Sequence, residues 1–114
     1  MQVPVQISFR DMPVSDAVEA ACWAEAEKLD RFYERITACR IVVAEASRDG
    51  PGGNTFQVRI ELAVPDGDII VNREPPAHHH DDVRIAVREA FARARRRLDD
   101  HVRRHRANGR TQLP

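Results

Sequence analysis

Residues 89–106, EAFARARRRLDDHVRRHR, place nine arginines or histidines in eighteen positions of a chain whose formal net charge is zero. Guanidinium groups at this density suit the holding of phosphate, because each is always charged and offers five donors in a planar fork. The rest of the chain carries the balancing charge. Residues 1–82 hold eight Lys plus Arg against fifteen Asp plus Glu, whereas residues 83–114 hold ten against three. Charge sorted in this way serves either internal neutralisation between the two portions or a face meant for a polyanion, and spacing alone leaves both readings open.

A second cluster, HHHDD at 78–82, combines imidazole and carboxylate, the ligands of zinc or nickel. Consecutive histidines from His78 to His80 splay in different directions and do not make the convergent set that a structural zinc needs. The segment reads as a polar loop capping a helix, with any metal there incidental. Cys22 and Cys39 fall in segments of helix and strand character and read as two reduced thiols packed inside, not as a disulfide or metal pair. No nucleophile motif, no Gly-rich phosphate loop between strand and helix and no obvious carboxylate pair is present, so the sequence implies neither an enzyme nor a cofactor nor a small-molecule substrate. Ser8 and Ser15 are better explained as a strand residue and a helix cap.

The elements that hold these groups follow from hydrophobic spacing. VPVQISF (3–9) has short period-two character and reads as a first strand. Ser15-Asp16, with Glu19 behind, suits a helix start in which the Asp16 to Glu19 spacing fits a capping box. Val18, Cys22, Ala26, Leu29, Phe32 or Tyr33, and Ile36 then recur at helical spacing and predict a long first helix. ACRIVVAEA (38–46) is a β-branched strand followed by the Gly/Pro loop SRDGPGGN (47–54). In TFQVRIELAV (55–64), Phe56, Val58, Ile60, Leu62 and Val64 alternate with Gln57, Arg59, Glu61 and Ala63, which predicts a strand buried on one face. PDG (65–67) and DIIVNR (68–73) complete a hairpin.

Pro75-Pro76 stops the strand, and Asp81 or Asp82 can cap a last helix with an apolar stripe of Val83, Ala86, Val87, Ala90, Ala94, Leu98 and Val102, stopping near Asn108-Gly109. The order βαβββα implies an α+β, dsRBD-like fold: a four-stranded mixed sheet with both helices on one face. One domain over 1–108 and a tail over 109–114 account for the 114 residues. At about 100° per residue, Arg84, Arg88 and Arg95 fall on one flank of the last helix's stripe, Arg93, Arg97 and Arg104 fall on the other, and Arg96 and Arg103 point nearly away from the core. With aromatic residues at only 5%, contact to a nucleic acid rests mostly on phosphate. No apolar run is long enough to span a bilayer and the N-terminus has no leader pattern, so a cytoplasmic protein without membrane contact is expected.

EKLDRFYERITACRIVVAEA (27–46) resembles the segment leading from the first helix into the second strand in the ribosome hibernation promoting factor family (HPF/RaiA, also called sigma-54 modulation protein). HHHDDVRIAVREAFARARRRL (78–98) is similar to that family's approach to its last helix, where an acidic pair precedes an AI step and a basic run. The resemblance covers roughly residues 3 to 106. It implies a noncatalytic stress protein, monomeric here, that docks on rRNA of the small ribosomal subunit and occludes the messenger and tRNA places in the A and P sites.

The family's basic helix positions match Lys28, Arg31 and Arg35 on the first helix and Arg93 and Arg96 on the last, whereas Arg84, Arg88, Arg95, Arg97, Arg103 and Arg104 join them from helical geometry. A Tyr often found two residues after the acidic step is Arg84 here, and a late basic position falls on Asp100. Long members add a linker and a dimerising domain; because this chain stops soon after the last helix, ribosome pairing through such a domain is not expected. The older sigma-54 label suggests the alternative, a protein-protein regulator whose basic helix meets an acidic protein partner.

Overall fold

A computed structural model describes residues 4–47, 55–65, 67–73 and 83–111. Six elements follow in the order β1 (Val5–Arg10), α1 (Asp16–Phe32), β2 (Ala38–Ser47), β3 (Thr55–Val64), β4 (Gly67–Arg73) and α2 (Val83–Thr111). The strands form one mixed sheet in the order β1-β2-β3-β4, with β1 parallel to β2 and the others antiparallel. This is the expected α+β, βαβββα architecture.

The period-two pattern places one row of side chains in the core. Cys39, Ile41 and Val43 of β2 pair across to Leu62, Ile60 and Val58 of β3, and Ile69 and Val71 of β4 continue the row; all are buried. Both helices cover this face, α1 against β1 and α2, and α2 over β3 and β4. From α1 come Val18, Cys22, Ala26 and Leu29, and from α2 come Ala86, Val87, Ala90, Phe91, Ala94 and Leu98. Val83 and Val102 at the ends of the expected α2 stripe are only half-buried, while Phe91, one residue past Ala90, widens it. Burial raises the Cys22 thiol to about 12, with Cys39, Glu19 and Glu25 adding to the shift, and burial raises Cys39 to about 12 as well. Both cysteines are free thiols in the core.

Local chemistry sets the boundaries. Ser15, extended at φ −122°, caps α1: its Oγ accepts from the Val18 N–H at 3.3 Å, and its carbonyl accepts from the Glu19 N–H at 2.9 Å. The cap is therefore Ser15, and Asp16 and Glu19 instead put negative charge in the first turn, near the positive end of the helix dipole. The expected helical run through Ile36 ends earlier. Tyr33 is extended, its N–H closing on the Leu29 carbonyl at 2.9 Å, and Thr37 donates its backbone N–H to Ala63 at 2.8 Å. Sheet pairing takes the chain from the helix, so Ile36 fills the core from a connecting segment. After Pro65, Gly67 sits at φ +142°, a conformation that L side chains rarely adopt, which is why glycine opens β4.

At the other end, α2 continues through Asn108-Gly109 to Thr111 instead of stopping there. A helical glycine costs only about 1 kcal/mol relative to alanine and does not by itself end a long helix. The Gly/Pro loop beyond Ser47, the HHHDD cluster and the caps assigned to Asp81 or Asp82 lie outside the described residues.

Candidate nucleic-acid interface

The arginines can be followed from their helix positions outward. Because the apolar stripe of α2 faces the sheet, its two flanks face different neighbours. Arg95, on one flank, lies over the ring of Phe32 at the end of α1, with its guanidinium carbon 4.7 Å from the ring centroid. On the other flank, Arg97 donates through Nη1 to the carbonyl of Ile70 on the edge strand β4. A hollow on that side is lined by Asp68, Arg97, Asp100, His101 and Arg104. The structure thus places the flanks on the α1 side and the β4 side of α2.

Seven of the α2 arginines singled out by spacing, Arg84, Arg88, Arg95, Arg96, Arg97, Arg103 and Arg104, are exposed; Arg93 is half-buried. Arg103 pairs with Asp99 at 3.1 Å one turn back, and Lys28 pairs with Glu25 on α1 at 3.0 Å. Such exposed pairs contribute at most about 1 kcal/mol and are screened by salt, so an incoming phosphate can replace them. Arg84 is also engaged within the molecule. By contrast, Arg31, Arg35, Arg88, Arg93, Arg96 and Arg104 have no ion-pair or side-chain hydrogen-bond partner among the described residues. Arg31 is in the last turn of α1, where its charge complements the helix dipole. Arg35, expected on α1, stands in the turn beyond it because the helix ends at Phe32.

The uncovered face of the sheet differs in character. There Arg59 holds Glu61 through Nε at 3.1 Å and Nη2 at 3.0 Å, and Arg40 approaches the other oxygen of Glu61 at 4.0 Å. Arg40 and Arg59 share a carboxylate, and Arg10 at the end of β1, like Arg31, Arg35, Arg88, Arg93, Arg96 and Arg104, has no ion-pair or side-chain hydrogen-bond partner among the described residues. Among the described residues no group of three or more His, Cys, Asp or Glu is placed to hold a metal, and no helix is long and apolar enough to cross a membrane.

Spacing did not single out Phe32. Counting from Leu29, both Phe32 and Tyr33 fit the α1 stripe, and the position of the helix end decides between them. Tyr33 turns toward the core and is half-buried, while Phe32 remains 39% exposed beneath Arg95.

The family model described as sigma 54 modulation protein / S30EA ribosomal protein matches residues 5–106, nearly all of the chain. The chain belongs to this family. The S30EA family is one of ribosome-associated modulation and hibernation factors and is noncatalytic, so the chain is no enzyme. Among solved structures, the N-terminal domain of Protein Y from Thermus thermophilus is similar with a TM-score of 0.65 at 17% identity, over 89% of this chain and 99% of that one. A ribosomal subunit interface protein from Coxiella burnetii is similar with a TM-score of 0.70 at 12% identity, over 87% and 97%. At such identities the likeness establishes the shared fold. No curated protein sequence matches the S30EA chain.

Proposed function

We propose that this S30EA-family protein is a cytoplasmic translation inhibitor that binds rRNA of the small ribosomal subunit as a monomer. Its arginines neutralise phosphates within an already folded groove of RNA. The body of the domain then fills the space that messenger and tRNA need in the A and P sites. Steric occlusion is the whole mechanism, and it is reversible because no bond is made. The observation that carries the reading is the set of arginines without a partner among the described residues on the two helices and the adjoining turn, Arg31, Arg35, Arg88, Arg93, Arg96 and Arg104. Lys28, Arg84, Arg95, Arg97 and Arg103 extend the same basic surface.

Cosedimentation with purified small subunits tests it. The wild-type chain is expected to pellet with the subunits, and Arg93→Glu combined with Arg96→Glu is expected to stay in the supernatant while keeping its circular dichroism spectrum, since neither residue belongs to the buried core. A folded double variant that still pellets means the wrong surface has been chosen. The family is also named for sigma 54 modulation, which favours a second reading, an acidic protein partner for α2. Capture from extract that survives ribonuclease supports that reading, and capture that ribonuclease abolishes supports the first.

A further inference from the structure

We infer that the groove between the last turn of α1 and the middle of α2 is a stacking site for one unpaired nucleobase, with Phe32 and Arg95 as its platform and Arg96 as the contact to its phosphate. The inference deepens the rRNA reading and rests on it. The groove, of about 530 Å³, is lined by Phe32, Ala92, Arg95, Arg96 and Asp99. In size it falls within the ordinary range of ligand clefts. Its chemistry is mixed in a specific way: an aromatic ring that remains 39% exposed, a guanidinium 4.7 Å from the centroid of that ring, and a small methyl group on Ala92 that leaves the space beside them open.

The open part of the ring is apolar surface left in water, and a flat partner stacked on it would remove that surface from solvent. A nucleobase has a flat π face that stacks equally well on a phenylalanine ring or on the plane of an arginine, and it brings a phosphate with it. Arg96, exposed and without a partner among the described residues, supplies the positive charge at the rim. Asp99 also faces the groove, but Arg103 holds its carboxylate at 3.1 Å, so the local balance remains positive. A base paired within a duplex presents only its edges, so the occupant is a nucleotide from a loop, bulge or single strand. An acidic peptide would meet the arginines but would gain nothing from the ring.

The test uses the full chain and a short single-stranded RNA containing 2-aminopurine, with a duplex of the same sequence as control. Stacking is expected to quench the 2-aminopurine on binding. Phe32→Leu and Phe32→Ala are expected to weaken single-strand binding roughly 5- to 150-fold, the range measured for loss of one base–aromatic stack. Phe32→Trp is expected to restore it. Duplex binding should change little throughout, and the slope of log affinity against log salt should stay as in the wild type, because no charge has been removed.

The stacking site is overturned if Phe32→Leu binds the single strand as tightly as the wild type, if single-strand and duplex binding fall together, or if the fluorophore is not quenched. Should Phe32→Ala fail to fold, Phe32→Leu and Phe32→Trp decide the matter. Loss of wild-type cosedimentation with small subunits overturns the rRNA reading itself. A Phe32→Leu chain that cosediments normally and binds single strands normally overturns only the stacking site.

Discussion

Two thiols and one ring show how much a residue's surroundings decide. Cys22 is 0% and Cys39 3% exposed, and burial is the main reason that both thiols are raised from 9.0 to about 12. A folded-state value above the unfolded one means that the folded protein holds the thiol protons more tightly. This contribution to stability is fully present below about pH 9 and is lost as pH rises toward about 12. The urea midpoint is therefore expected to fall across this window more steeply in the wild type than in Cys22→Ala. At pH 8.5 a disulfide reagent is expected to titrate both thiols in urea and neither in the native protein; rapid native titration would mean that the thiols are not sealed in the core. Sequence reasoning reached these two residues correctly, because a small apolar group at helical or alternating spacing has few other places to go. It could not choose between Phe32 and Tyr33, which differ by one position on the same stripe.

Helix and strand boundaries were less legible than the elements themselves. The alternation in β3 anticipated its span and its buried face, since period two has one solution on a half-covered sheet. The start of α1 was visible as a cluster, Ser15-Asp16, but which side chain does the capping depends on a backbone turn that adjacent positions share. Ser15→Ala is expected to lower the urea unfolding free energy by about 1 kcal/mol, the usual cost of losing an N-cap acceptor. Asp16→Ala is expected to cost less, through the helix dipole alone. A reversal of that order would make Asp16 the cap. The end of α1 carries neither Gly nor Pro, so local propensity gave no stop; Thr37 bonding to Ala63, which is 26 residues away in sequence, provides one. The end of α2 errs the other way: a Gly suggested a stop, and the helix runs past it.

At the scale of the molecule, the positive charge gathers on α2, whereas α1 packed beside it holds Asp16, Glu19, Glu25, Glu27 and Asp30 against Lys28 and Arg31. Among the described residues, Arg31, Arg35, Arg88, Arg93, Arg96 and Arg104 of the helices and the adjoining turn have no partner, nor does Arg10 on β1, whereas Arg40 and Arg59 on the open sheet face share Glu61. If about six phosphates are contacted, binding to small subunits is expected to weaken roughly a thousandfold between about 50 and 200 mM salt, through counterion release. A flat response in the cosedimentation assay would argue against phosphate as the ligand. The sequence by itself determined the six elements, their order, the apolar rows and the sign of charge on each segment, because these are periodicities and sums that each stretch of chain carries locally. Only the tertiary structure decided where α1 ends, that Phe32 stays out under Arg95 and that Arg97 reaches the β4 edge. Those outcomes depend on which distant residue arrives first at a shared hydrogen bond or a shared patch of core, and no local spacing contains that information.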